Sequence, residues 1–436
     1  MTALDAAAPP PSVPIVPQAQ AASAAPERPP GTGGVRFLGR EPTYWRLMIR
    51  GALLVAVTLG IYRFWLATDQ RRFLWGNTEI AGDTLEYTGT ARELLIGFLI
   101  ALAVLVPLNT AFFLAALDAG LVTVATFLLL ALFGHFAIYR ARRYRLTRTV
   151  FRGVRLHQTG SAWLYAVYSM LGWVAIIATF GLAYPWAQAV LERYKMHHTH
   201  YGSLRGRFVG SGTRLFFQGL IMWLLVMGPL LLGVLVLAAG IDWQALTAAL
   251  SAGGDNVWSQ IESTNPNVGG AVAFMILAGI WSFLAAGLLY PVFQAMMLRW
   301  WVSGLRFGEM SATSRLRTGQ MYGVYLAFVG IVFVYSLAAG MVAGILTAAA
   351  TLLFKSFTGN KVAEIAGVVI GAIGYVVMML GYSTIYQVIV RQRMWRLSFE
   401  TAELSGLQAL DNVKAAGAAS SAFGEGLADA LDVGGL

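Results

Sequence analysis

An all-α polytopic membrane protein is the fold class predicted by 436 residues of which 57% are hydrophobic and only 12% charged, with a mean hydropathy of +0.64. A soluble globule carries about 25% charge. Seven uncharged or nearly uncharged stretches carry the prediction: Leu94 to Leu117, Ala119 to Tyr139, Ser161 to Leu191, Leu215 to Ile241, Gly269 to Leu298, Met321 to Phe354 and Ile365 to Val390. Each reaches the roughly 18–20 residues needed to cross a hydrocarbon layer of about 30 Å. An internal repeat then predicts a duplicated helical bundle with six full crossings, two re-entrant segments and small cytoplasmic β-hairpins.

The first 34 residues hold eight of the 14 prolines among Ala and Ser and cannot bury enough apolar surface to fold, so residues 1–34 are expected to be a disordered tail. They lack the basic start and apolar run of a signal peptide, and no cleavage is expected. The membrane domain follows over 35–403. Residues 404–436, rich in Ala and Gly, read as a C-terminal tail that is helical in part at most.

Within the membrane domain Thr58-Leu-Gly60-Ile-Tyr-Arg-Phe-Trp65 aligns with Thr179-Phe-Gly181-Leu-Ala-Tyr-Pro-Trp186. The match runs on without a gap through Arg72 and Arg193, Thr78 and Thr199, to Gly89 and Gly210. A copy between them superposes Arg142-Arg143-Tyr144, Thr149 and Gly153 on Arg71-Arg72-Phe73, Thr78 and Gly82. Copies lie near 45–117, 119–160 and 161–241, with weaker echoes at 269–354 and 363–403. The unit is an apolar helix, a basic and aromatic helix end, and a short segment alternating around a glycine turn. Thr78 to Gly89, with its turn at Gly82-Asp83, reads as a β-hairpin, as do Thr149 to Gly160 and Thr199 to Gly210. A lone hairpin is marginal in water, so the three are expected to pair with each other.

Copies of one unit place their basic ends on one face, which simple alternation of crossings forbids. The first segment has only Gly51 to Tyr62 uncharged between Arg50 and Arg63, about 18 Å of helix. Tyr44 to Ala67 and Ser161 to Leu191 are therefore expected to enter and leave on the cytoplasmic side, broken at the Thr-x-Gly sequences. Six crossings then put all 31 Lys+Arg on the cytoplasmic side except Lys355 and Lys361, in line with the positive-inside rule. Both termini are expected in the cytoplasm.

Phe37-Leu-Gly39, Thr58-Leu-Gly60-Ile-Tyr62 with Trp65, and Arg72-Phe73 with Asn77-Thr78 and Gly82 resemble the YjgN-like family of bacterial inner-membrane proteins, a domain of unknown function (898). The resemblance spans about Phe37 to Glu403. It implies a bacterial inner-membrane location and no established reaction. Where family members show small or prolyl residues before the Trp, this chain has Arg63-Phe64, and its second copy, Tyr184-Pro185-Trp186, is nearer the pattern.

The net charge of +10 is that of a membrane protein retaining basic residues on one face, not of a nucleic-acid binder. Without cysteine, disulfides, thiolate metal sites and a cysteine nucleophile are excluded. No catalytic motif is found, so no enzyme activity and no cofactor are expected. His197, His198 and His200 cluster, but they fall on an ordinary helix end in the repeat, so no metal site is expected. Two functional sites stay open. Pro107 with Asn109 and Thr110, matched by Pro229 in the stretch Leu215 to Ile241, would mark a path for a small solute at a repeat interface. Arg140, Arg142, Arg143, Arg145 and Arg148, with no acidic neighbour, would form a face for anionic lipid headgroups or an acidic partner. The two function classes are accordingly a channel or transporter and a non-transporting, lipid-interacting scaffold.

Overall fold

Ten short strands close into one antiparallel barrel, and this overturns the all-α class. The computed structural model describes residues 32–116, 120–252, 263, 267–358, 360–410, 413–417 and 420–431. Four hairpins contribute eight strands: β2 (Thr78–Ile80) with β3 (Asp83–Tyr87), β4 (Thr149–Phe151) with β5 (Val154–Gln158), β6 (Thr199–Tyr201) with β7 (Leu204–Phe208), and β8 (Leu305–Phe307) with β9 (Met310–Ser314). The ring closes through β1 (Thr32–Phe37) and β10 (Ala402–Ser405), which pair with each other and with β2 and β9. Closure removes every exposed strand edge. The strands are three to six residues long, and the chain passes from one hairpin to the next only through intervening helices, so local alternation in the sequence reveals hairpins but not their ring.

Helices run between the strands: α1 (Glu41–Val57) and α2 (Arg63–Gly76), α3 (Ala91–Ala116) and α4 (Gly120–Thr147), α5 (Ala162–Ala178) and α6 (Tyr184–His197). Then come α7 (Gly212–Gly240), the short α8 (Trp243–Ala252) and α9 (Val268–Gly304). The last pair is α10 (Thr318–Thr358) and α11 (Asn360–Ile385), continued by a π-helical turn (Tyr386–Gln392) and α12 (Arg393–Glu400). Each excursion leaves the barrel from one strand and returns to the next. Among the described residues six helices are long and apolar enough to cross a membrane: α3, α4, α7, α9, α10, and α11 continued through α12. Their outer faces expose large apolar side chains such as Val104, Leu224, Leu284, Val334 and Val368. The pairs α1/α2 and α5/α6 are shorter, with 17 and 14 residues in each.

The two short pairs are broken by the same device. Leu59 and Gly60 have φ of 49° and 93°, and Phe180 and Gly181 have 50° and 95°. Gly60 N–H reaches back to the Val55 carbonyl at 2.8 Å, and Gly181 N–H to Ile176 at 2.7 Å. Thr58 Oγ1 donates to the Leu54 carbonyl at 2.7 Å and accepts from Tyr62 N–H at 2.9 Å, so one hydroxyl closes α1 and starts α2. Thr179 does the same between Ala175 and Ala183. The left-handed backbone explains the glycine and the bridging hydroxyl the threonine.

Repeat residues also tie neighbouring units together. Arg72 and Arg193 donate to the carbonyls of Gly89 and Gly210, each at 3.2 Å, and Arg143 donates to that of Gly160. Each arginine thus clamps the far end of its own hairpin. Thr78, Thr149 and Thr199 donate to the last turn of the preceding helix at 2.7–2.8 Å. Each also accepts from another unit: Thr78 from Trp395 Nε1, Thr149 from Trp75 Nε1 and Thr199 from Arg142. Trp65 stacks on Tyr62, and Trp186 packs on Phe216. The β2–β3 turn is Ala81-Gly82, both at positive φ, one residue earlier than the sequence reading, because Asp83 begins β3. Such two-residue turns match the strand twist.

The barrel is filled rather than hollow. Leu85, Tyr87, Phe151 and Tyr201, from three hairpins, join Phe37, Leu74 and Trp75 in one buried cluster. Leu410 and Val413 pack against it from the C-terminal segment. That segment is no free tail: Leu404 and Ser405 lie in β10, and Lys414 exchanges hydrogen bonds with Ser203. Ser420 bonds Thr147, and a last helix, α13 (Phe423–Ala430), wedges against α3 and α4. At the other end, Thr32 to Gly34 belong to β1, three residues that the sequence reading leaves in the tail. Residues 1–31 and 432–436 lie outside the described residues, as does most of the loop before Val268.

Candidate functional site

The helix α13 docks through small residues. Gly424, Gly426 and Ala428 meet Gly97 and Ala101 on α3 and Ala137 and Ala141 on α4 so closely that a Cβ on Gly426 would lie 1.9 Å from the Gly97 backbone. Leu105, in the same cluster, is 14 residues into α3, about 21 Å from the barrel end. The helix therefore extends along α3 and α4 away from the barrel. Along its length it presents Glu425 and Asp429, four residues apart and on one face.

Opposite that face, α2 presents Arg63 and Arg71. Asp429 pairs with Arg63 at 2.8 Å, and Glu425 forms a buried ion pair with Arg71. Arg71 also donates to the Tyr87 hydroxyl at 3.1 Å. Arg145 Nε stands 3.8 Å from the second Glu425 oxygen, beyond hydrogen-bond reach. Arg391, from the π-helical turn, lies near enough to repel both Arg71 and Arg145. A cavity of about 360 Å³ opens among these groups, lined by Arg63, Arg71, Gln70, Ser383, Gln387 and Arg391 together with Glu425 and Asp429. Both carboxylates in its lining come from α13, and the other charged groups there, among the described residues, are arginines.

The neighbouring charges are locally paired. Glu192 binds Lys195 and accepts from Trp301 Nε1 at 3.1 Å. The five arginines grouped by sequence do not share a face. Arg140 abuts Gly424, Arg142 reaches Thr199, Arg143 reaches the Gly160 carbonyl, Arg145 turns toward Glu425, and Arg148 pairs with Glu93 at 2.8 Å. Their spacing on one helix, at roughly 100° per residue, spreads them around the axis. Asn109 donates its amide to the Leu105 carbonyl at 2.9 Å and Thr110 its hydroxyl to Val106, both on the exposed side of α3 with Pro107. Pro229 is on α7, which packs chiefly on α9, whereas α3 packs on α4 and α13. The two prolines thus lie on helices of different packing groups.

Larger spaces lie elsewhere in the molecule. A groove of about 960 Å³ between α1 and the last helical pair is lined by Ile49, Leu53, Val334 and Tyr335 and is almost wholly apolar. A cavity of about 760 Å³ where α7 and α9 meet the barrel carries Arg214, Arg299 and Arg306. The arginine and carboxylate cavity was missed in the sequence because its acidic half sits in the Ala/Gly-rich end. The pairing of Glu425 and Asp429 at helical spacing, within Phe423-Gly-Glu-Gly-Leu-Ala-Asp-Ala-Leu431, was the available signal.

Among the described residues no group of three His, Asp or Glu side chains is placed to hold an ion. His157 and His200 instead face each other across β5 and β6, their rings stacked at 5.0 Å. Burial pushes both below the usual 6.5; His157 is lowered further by His200, and His200 by Arg205 and His197 against an opposing bond to the His198 carbonyl. His198 is lowered as well, by burial first and then by His197 and Arg205. The folded protein thus binds fewer protons than the unfolded chain. Stability is full above about pH 6.5 and is lost as pH falls through the lowered folded values. Thermal midpoints of detergent-solubilised protein should drop between pH 7.5 and 5.0. A His157→Gln, His200→Gln double variant should flatten that dependence.

A chain whose six long apolar helices rise from a closed barrel is a polytopic membrane protein. It belongs to the bacterial family of proteins of unknown function DUF898, whose model matches residues 32–261 and 256–395. No curated protein and no solved structure is detectably similar to it.

Proposed function

We propose that this protein moves a small solute across the bacterial inner membrane by way of the cavity between α2, the π-helical turn and α13. The observation that carries this reading is a cluster of guanidiniums lining one cavity, with Arg63 the furthest from the barrel. Arg63 lies 13 residues from the barrel end of α2, about 20 Å into the bundle, and Arg71 and Arg391 line the same cavity. Ionisable groups at such depth are costly in lipid and mark solute or ion pathways. The barrel, where nearly all Lys and Arg collect, faces the cytoplasm.

Flux tests the reading. Proteoliposomes carrying the protein should release a labelled solute from a panel of phosphate, short dicarboxylates, amino acids and sugars, and Arg71→Gln with Arg391→Gln should stop the release. A panel with no flux above empty liposomes ends the transport reading. Orientation is read separately in this cysteine-free chain. In intact cells a cysteine at Ser251 should react with an impermeant thiol reagent, and one at Ser203, beside the barrel turn, should not. The reverse pattern overturns the assigned sidedness.

A second reading, a lipid-binding scaffold without transport, is favoured by the cavity at Arg214, Arg299 and Arg306, placed where helices meet the barrel and anionic headgroups would lie. It is supported if neutralising these three arginines removes the cellular phenotype while Arg71→Gln does not.

A further inference from the structure

We infer that the cavity is an oxyanion site, for a carboxylate or phosphate, held closed by the protein's own C-terminal helix, with Glu425 in the ligand's place. This deepens the transport reading and rests on it for the cavity's purpose, but it is tested by binding alone.

Three observations converge. First, the body of the protein lines the cavity with Arg63, Arg71 and Arg391 and no carboxylate, and Arg145 adds a fourth guanidinium at its edge. Cations gathered in one buried place repel each other unless an anion joins them. Second, donors remain unspent around Glu425: Arg71 Nε and Arg145 Nη1 are buried without a hydrogen-bond partner. The second oxygen, Glu425 Oε2, is itself buried and unbonded. One carboxylate therefore satisfies only part of a set of donors that a planar or tetrahedral oxyanion could engage more fully. Third, the group filling the site is removable. The helix α13 is eight residues long and hangs on a segment fixed to the barrel at Lys414 and Ser420. Leu427 is its one large buried apolar side chain, and its glycines and alanines contribute backbone proximity more than side-chain area. The helix can leave while the four arginines stay, each on a helix anchored by the barrel.

The consequence is competition. A free oxyanion and Glu425 share the same guanidiniums, so the ligand must displace the helix, and its apparent affinity falls by the fraction of time the site is closed. The experiment uses the full chain in phosphatidylcholine nanodiscs, with radiolabelled inorganic phosphate and labelled succinate in equilibrium dialysis. Glu425→Gln should bind at least one probe about tenfold or more tightly than the parent, the factor expected if the site is mostly closed. Glu425→Asp should return toward the parent. Gly97→Leu, which dislodges the helix by bulk and alters no charge, should tighten binding as Glu425→Gln does, which covers misfolding of the first variant. Adding Arg71→Gln to either should abolish the gain. Nanodiscs with a tenth phosphatidylglycerol separate the sources: loss of phosphate binding there assigns the site to a lipid headgroup, and undiminished binding assigns it to a free solute. Equal affinity in the parent, Glu425→Gln and Gly97→Leu overturns the inference. Tight, competed binding without flux removes the transport reading and leaves this one standing.

Discussion

In a Gly97→Leu protein the C-terminal helix is expelled from the bundle, and a cysteine at Ala428 changes from protected to reactive. Ala428 is fully buried between α3 and α4. A Cβ at Gly97 would lie 2.5 Å from the Ala422 carbonyl oxygen, and one at Gly426 would lie 1.9 Å from the Gly97 carbonyl carbon. These neighbours are backbone, which no rotamer change can move aside. A leucine at 97 is otherwise well suited to a membrane helix, so α3 still inserts and the lesion stays local. Labelling at Ala428→Cys should accelerate about tenfold or more, the factor set by roughly 1.4 kcal/mol of lost docking. A cysteine at Ala137, fully buried in the same contact, should follow it. Unchanged protection at both positions would show that the helix does not depend on this contact.

Phe151→Ala should lower stability by about 3–5 kcal/mol, the usual cost of emptying a buried aromatic site. Phe151 is buried in β4, its ring 6.0 Å from that of Tyr201 on β6, whose hydroxyl donates to the Phe151 carbonyl. The site joins two strands that are not ladder neighbours, since β5 lies between β4 and β6 in the barrel order. The surrounding strands are closed on themselves and cannot collapse to fill the void, so the cavity term persists. Thermal unfolding in detergent measures the loss, with Leu352→Ala on the exposed face of α10 as the control. Equal midpoints for both variants would mean that the barrel interior is not a stabilising core.

Apolar length alone specifies the six long helices, because few short-range alternatives exist for twenty consecutive apolar residues. The helix breaks are equally local. Thr58 and Gly60, like Thr179 and Gly181, hold their bonds within five residues of themselves. The hairpins were legible where glycine fixes the turn, as at Gly82 and Gly153. The hairpin at Leu305–Ser314 was not, since its repeat is degenerate, and neither was the pairing of Thr32–Phe37 with Ala402–Ser405, some 370 residues apart in the chain.

The two functional sites read from the sequence fared differently for a related reason. Asn109 and Pro229 were joined by matching depth, a one-dimensional property, and the tertiary structure places their helices in different packing groups. Arg140 to Arg148 were joined by proximity in sequence, and helical geometry scatters them, leaving only Arg145 beside the cavity. Arg71, Arg391 and Glu425 are brought together from positions 320 and 354 residues apart along the chain, counting from Arg71. Sequence by itself determined membrane class, helix breaks and turns, because those depend on burial of a continuous segment or on one backbone angle. Only the tertiary structure decided the barrel and the charged cavity. Both depend on hydrogen bonds and charges whose partners meet only after the helical excursions between them have been folded away.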